Sequence, residues 1–125
     1  NWYYIAASDS SAEDKAKSDV ICDGTSDEVE INAAQLTQPN IRLMEGSYVQ
    51  NAGIQISKSN RKIVGVGNVT ITRPSGNNIF TISAVDNTYV ENCVVESNTT
   101  IRANTVYKGE GEIKVVVENS ERYNI

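Results

Sequence analysis

The spacing of apolar residues changes character at Pro39. Before it, Val29, Ala33 and Leu36 recur at helical intervals with Ile31 and Ala34 beside them, which predicts a helix whose apolar face carries these residues. Its start is predicted from Thr25 and Glu28. Three residues apart, they can form a capping box in which the Thr25 hydroxyl accepts from the Glu28 amide and the Glu28 carboxylate reaches back. Asp27, Glu28 and Glu30 crowd the first turn, where carboxylates meet the positive end of the helix dipole. Pro39 forbids continuation beyond about Gln38.

After Pro39 helical spacing gives way to short apolar bursts separated by Asn, Gly and Ser. They run Ile41 to Met44, Ile54 to Ile56, Ile63 to Val66, Val69 to Ile71, Ile79 to Ile82, Tyr89 to Val90, Cys93 to Val95, Ile101, Val106 to Tyr107 and Ile113 to Val117. Several alternate with period two, as in Ile54-Gln55-Ile56 and Val69-Thr70-Ile71, the pattern of strands with one buried face. Bursts recur at about 20 to 25 residues, pairing Ile41 with Ile63, Ile56 with Ile79, Ile71 with Val94 and Cys93 with Val115. Such a period suits a solenoid coil of about three strands, with room for roughly three to four coils from Ile41 to the end. The expected fold is mainly β, a short right-handed parallel β-helix in a single domain 1–125. Residues 1–40 supply an N-terminal strand and a capping helix that hides edge amides, and residues 41–125 supply the coils. The continuous run Val115-Val116-Val117 reads as a strand buried on both faces or docked on a partner, and residues 106–117 as a hairpin turning at Lys108-Gly109-Glu110-Gly111.

Three segments carry a family resemblance: Tyr4-Ile5-Ala6-Ala7-Ser8-Asp9, Lys15 through Thr25, and Asp27-Glu28-Val29-Glu30-Ile31. Together they resemble the opening of right-handed parallel β-helix proteins of the pectate-lyase-like superfamily, as in phage tail proteins and surface proteins of methanogenic archaea. The Gly-rich steps that follow there have counterparts in Leu43-Met44-Glu45-Gly46-Ser47-Tyr48 and Ile63-Val64-Gly65-Val66-Gly67, while a usual Gly-Gly pair is replaced by Thr37-Gln38-Pro39-Asn40. The resemblance covers about the first seventy residues. It implies a structural module of an extracellular, cell-surface or virion assembly. The alternative it implies is a fragment of a polysaccharide lyase or glycoside hydrolase whose catalytic coils lie elsewhere.

With 39% apolar and 6% aromatic residues among 125, the chain can bury a core, and no apolar run approaches membrane-spanning length. From the start at Asn1-Trp2-Tyr3-Tyr4, without an initiator Met, a processed chain or an excised fragment is expected. A net charge of −5 argues against a general nucleic-acid binder. Charge is uneven, however. Eight acids face Lys15 and Lys17 between Asp9 and Glu30, whereas Gly46 to Val85 holds no acid and four cations, Lys58, Arg61, Lys62 and Arg73. Those four are candidate contacts for a glycan or a neighbouring subunit, or else a solvated turn region.

Candidate chemistry is sparse. Asp19, Asp23, Gly24, Asp27 and Glu30 match EF-hand spacing, but Ile21 stands at a ligand position and a strand replaces the leading helix, so no metal is expected. Gly65-Val66-Gly67 lacks the third glycine and following helix of a phosphate loop. There is no His, and Glu91, Glu96, Glu112 and Glu118, with Arg73 or Arg102, show no spacing that sets two carboxylates across a glycosidic bond. No catalytic residue and no cofactor are expected. Cys22 and Cys93 read as inert core thiols. Asn68 and Asn98 head glycosylation patterns, and Asn60, Asn68, Asn92 and Asn98 are candidates for stacked turn ladders. An apolar column ending near Ile113 to Val117 predicts self-association as a trimer or filament, or continuation into further coils of a longer parent chain.

Overall fold

The computed structural model describes residues 1–74, 78–83, 87–96, 100–108, 112–116 and 123–124, with side chains as far as 74 and at 80, 87–88 and 90–95. The elements follow in chain order. They are β1 (Tyr3–Ala6), α1 (Ala12–Ala16), β2 (Val20–Ile21), α2 (Glu28–Thr37), β3 (Asn40–Leu43), β4 (Gly46–Val49), β5 (Ile54–Ile56), β6 (Lys62–Gly65), β7 (Val69–Thr72), β8 (Asn78–Ser83), β9 (Thr88–Glu96), β10 (Thr100–Lys108), β11 (Glu112–Val116) and β12 (Tyr123–Asn124). The protein is mainly β. Seven strands lie side by side, all parallel, in the order β2-β1-β3-β6-β9-β7-β4, while β5 and β8 pair in parallel in a second sheet.

The trio β3, β4, β5 is matched strand for strand by β6, β7, β8. Parallel register places like residues over like: Ile41 beside Ile63 and then Val90, Tyr48 beside Ile71 and then Val95, Ile54 beside Phe80. All eight are at most 1% exposed, so the inward rows form one core, to which Ile5, Leu43 and Ile31 add. At about 1.5 to 3 kcal/mol for each fully buried large side chain, these rows dominate the stabilisation.

The third level uses one strand where the earlier levels use two. The first half of β9 pairs with β6 and its second half with β7. The bend falls at Asn92, whose φ of 57° is left-handed. Below it the chain turns at Gly65-Val66-Gly67-Asn68, with Gly67 at φ 72°. Asn92 Nδ2 donates to Gly65 O at 2.8 Å and to Gly67 O at 3.4 Å, so the two corners are bonded to each other.

Of the expected intervals, Ile41 to Ile63 is realised in register, and Ile71 meets Val95, one residue beyond Val94. Ile56 pairs with Ile82 instead of Ile79, because the stretch from Thr72 to Phe80 is three residues longer than its counterpart from Val49 to Ile54. Beyond β9 the expected coils give way to antiparallel pairing. β10 and β12 run antiparallel to β9, and β11 antiparallel to β8. Val115 therefore meets Phe80 and not Cys93, and β10 and β11 do not form a hairpin with each other. The turn at Gly109-Glu110-Gly111, Asn98, Val117 and Glu118 lie outside the described residues, as do the side chains of Glu96, Arg102, Glu112 and Val115.

The helix also differs from expectation. No capping box forms: α2 begins at Glu28 after Asp27, whose backbone is already helical at φ −66° and whose side chain caps no helix amide. Thr25 N donates to Asp23 Oδ1, and Glu28 bonds elsewhere. The buried face carries Glu28, Ile31, Ala34 and Gln35, leaving Val29 59% and Leu36 50% exposed.

Candidate functional site

The most organised polar construction among the described residues is the edge of the first strand level, where α2 lies. Strands β4 and β5 have neighbours on one side only, β7 and β8. Their free edge presents outward amides at every second residue, and each such group left buried without a partner costs about 1 to 3 kcal/mol. Side chains fill the gap. Ser47 N donates to Asp9 Oδ1 at 2.8 Å, Val49 N to Asp27 Oδ2 at 2.8 Å, Asn51 N to Glu28 Oε1 at 2.9 Å, Gln55 N to Asn32 Oδ1 at 2.8 Å, and Ser57 N to Gln35 Oε1 at 3.2 Å. Asp27 N in turn donates to Val49 O at 2.8 Å, and Asn32 Nδ2 to Gly53 O at 3.3 Å.

This explains the rotation of the helix. At about 100° per residue, Glu28, Ile31, Asn32 and Gln35 fall within an arc of about 100°, with Val29, Ala33 and Leu36 outside it. Turning the second group inward would bury Val29 and Leu36, gaining about 1.5 to 3 kcal/mol for each, but would strip three edge amides of their acceptors and lift Ile31 off the core. Satisfying the amides wins. The acidic N-terminal third has the same origin, since Asp19 Oδ2 accepts from Tyr4 N and Asp23, Asp27 and Glu28 also serve backbone amides.

Asp27 is the centre of the arrangement. Fully buried, it accepts from Gly24 N at 3.0 Å through one oxygen and from Val49 N through the other. Burial raises its pKa above the ordinary carboxyl value, against the lowering effect of the two amides. Cys22 Sγ and a Glu30 oxygen lie near it, all three within 4.8 Å of one another. These are metal-ligating atoms, yet both Asp27 oxygens are engaged. The Cys22 thiol is pushed up by burial and by Asp27 and Glu30, which keeps it protonated. Cys93 is also free and buried, its thiol pushed up to about 12 by burial.

The four candidate cationic contacts have different fates. Arg61 Nε bonds to Gln35 O, its Nη2 to Leu36 O at 3.4 Å and its Nη1 to Ser59 O at 3.2 Å, so its charge is spent on the C-terminal carbonyls of α2. Lys58 is exposed on the same connection, Lys62 opens β6, and Arg73 follows β7. The last two are half-buried and engaged in interactions of their own. Glu91 is half-buried on β9. On the first sheet Arg42 stacks on Trp2, 4.3 Å from its ring centroid.

Of the asparagine ladders, Asn87 Nδ2 donates to Asn60 Oδ1 at 3.0 Å, both residues standing at left-handed φ. The sequence pattern had marked Asn60 and missed Asn87. Exposed Asn68 donates its amide to Glu45 Oε2 at 2.7 Å. Asp9, Asn32 and Gln35 were missed as well. The signal for Asn32 and Gln35 is a helix that places polar acceptors in the same arc as Ile31; Asp9, between β1 and α1, has no such signal. No helix among the described residues is long and apolar enough to cross a membrane. Compared with protein-family models, with curated proteins and with solved structures, the chain matches none.

Proposed function

We propose that the chain is a non-enzymatic structural module, a short right-handed parallel β-helix whose N-terminal end is covered by α2. We place it in an extracellular or virion assembly, such as a phage tail or appendage or an archaeal surface protein. The observation that carries this reading is the strand-for-strand match of β3-β4-β5 with β6-β7-β8, continued by β9. A chain that climbs one strand level per round is stiff along its axis, because each level is bonded to the next along its length.

The use made of polar side chains supports a structural role. Asp9, Asp19, Asp23, Asp27, Glu28 and Glu45 all accept from backbone amides, which holds the chain in shape. Exposed Lys58 is the residue through which we expect contact with a glycan or neighbouring subunit. As a building block the module associates with copies of itself. Nuclear Overhauser contacts between Ile41 and Ile63, Tyr48 and Ile71, and Ile54 and Phe80 test the coil reading. Incubation with polygalacturonate tests the other half: no unsaturated sugar is released, and its release would overturn the non-enzymatic role.

A further inference from the structure

We propose that Cys22, Asp27 and Glu30 form a binding site for a thiophilic divalent cation, zinc by its chemistry. Their ligand atoms, one sulfur and two carboxylate oxygens, all lie within 4.8 Å of one another. Two elements bring them there: Cys22 directly follows β2, Asp27 directly precedes α2, and Glu30 stands in the first turn of α2. Cys22 is 1% exposed, and its thiol makes no hydrogen bond among the described residues. A buried sulfur without a partner, held beside two carboxylates, has the chemistry of a metal ligand. Among the described residues no Lys or Arg is paired with Asp27 or Glu30, the nearby ion pair being Lys17 with Asp14. A dication supplies the missing countercharge.

The two amides on Asp27 are compatible with this role. Each carboxylate oxygen has two lone pairs, and Gly24 N takes one on Oδ1 and Val49 N one on Oδ2, which leaves one on each for a metal. Ligating carboxylates are held in this way, because the amides fix their orientation. Cys22 N, donating to Ala6 O at 2.8 Å, fixes the backbone from which the sulfur projects. Zinc bound at about 2.3 Å to sulfur and about 2.0 Å to oxygen, with tetrahedral angles, sets its ligand atoms about 3.5 Å apart. The three atoms therefore need to close by no more than about 1.3 Å, which rotation of the half-buried Glu30 side chain supplies. The EF-hand spacing that includes Asp27 and Glu30 lacks an oxygen at Ile21, but Cys22 beside it offers sulfur. That turns the preference away from calcium, which takes about six to eight oxygens, and toward zinc. On binding, the Cys22 thiol gives its proton to solvent and its electron pair to the metal. The site depends on these three side chains and not on the assembly role proposed above, so the two can fail separately.

Cobalt(II), added to the full chain after treatment with a chelator, is the probe. The wild type is expected to develop a thiolate-to-cobalt charge-transfer band in the near ultraviolet, which zinc removes by competition and excess calcium does not. Zinc affinity is then read from the competition in three variants. Cys22→Ser and Glu30→Gln should each weaken it by about 100-fold or more, since disturbing even a group that orients a ligand costs about 10- to 100-fold. Glu30→Gln changes a half-buried side chain and leaves both hydrogen bonds of Asp27 in place. Cys93→Ala, outside the cluster, should bind as the wild type does. If Cys22→Ser does not fold, Glu30→Gln and the wild-type spectrum decide. A folded wild type without the band at millimolar cobalt would overturn the proposal. So would a band that survives in folded Cys22→Ser, one that is lost in folded Cys93→Ala, or a zinc affinity that Glu30→Gln leaves unchanged.

Discussion

Replacing Gly65 with Ala puts the stacking of β6 beneath β9 under the most direct strain. A Cβ built on Gly65 would stand 2.1 Å from Asn92 O and 3.1 Å from the Val69 Cβ. Backbone at both residues sets this distance, so no side chain can swing away. Moving the contact from 2.1 Å to 3.0 Å requires the two corners to part by about 0.9 Å. That parting stretches the 2.8 Å bond from Asn92 Nδ2 to Gly65 O out of hydrogen-bonding range. Overpacking of this kind costs about 1 to 3 kcal/mol and the lost bond about 1 kcal/mol. Gly65 has no left-handed φ, so Ala recovers about 0.4 to 1 kcal/mol by restricting the unfolded chain. The net expectation is a loss of about 2 kcal/mol. In urea this lowers the unfolding midpoint by about 1 M with an unchanged slope. A midpoint indistinguishable from the wild type would mean that Lys62–Gly65 does not lie against Thr88–Glu96, and the stacked levels would fall with it.

Other substitutions separate the features of the N-terminal end. Thr25→Ala should change stability by no more than about 0.5 kcal/mol, as its side chain caps nothing, whereas Glu28→Ala should cost about 1 kcal/mol or more by orphaning Asn51 N; chemical denaturation compares them. Because burial raises the Asp27 pKa in the folded state, its favourable contribution is complete below the ordinary value of 3.8 and is lost as pH rises through the folded value. The stability difference between wild type and Asp27→Asn should therefore shift in favour of the variant as pH rises above 3.8, and a pH-independent difference would refute the buried charge. Cys22 and Cys93, buried and held protonated, should react with a thiol reagent at neutral pH only as fast as the chain unfolds.

Much of the strand stack was legible because apolar residues stack on apolar residues. The Ile41 burst could be laid on the Ile63 burst by spacing alone, and the pairing is found in register. Spacing failed where loops differ in length, as between Thr72 and Phe80, since a three-residue insertion leaves the period-two pattern of each strand untouched. It also cannot tell parallel from antiparallel pairing, because either direction buries the same alternate residues, which is why β10 and β11 were expected to continue as coils. The helix was located but rotated wrongly. Val29, Ala33 and Leu36 look like a core face by hydropathy, and only the unmet amides of β4 and β5 explain why Glu28, Asn32 and Gln35 face inward instead. Thr25 and Glu28 satisfied the spacing of a capping box, but Glu28 is drawn to Asn51 N. The demand that overrode the local motif comes from residues more than twenty positions away.

Solution mass across concentration, by sedimentation or light scattering, tests most directly whether the chain is a building block. For the 125-residue chain of 13.6 kDa, the proposed role predicts a mass that rises with concentration to a multiple of that value. A particle of 13.6 kDa at every concentration would contradict it.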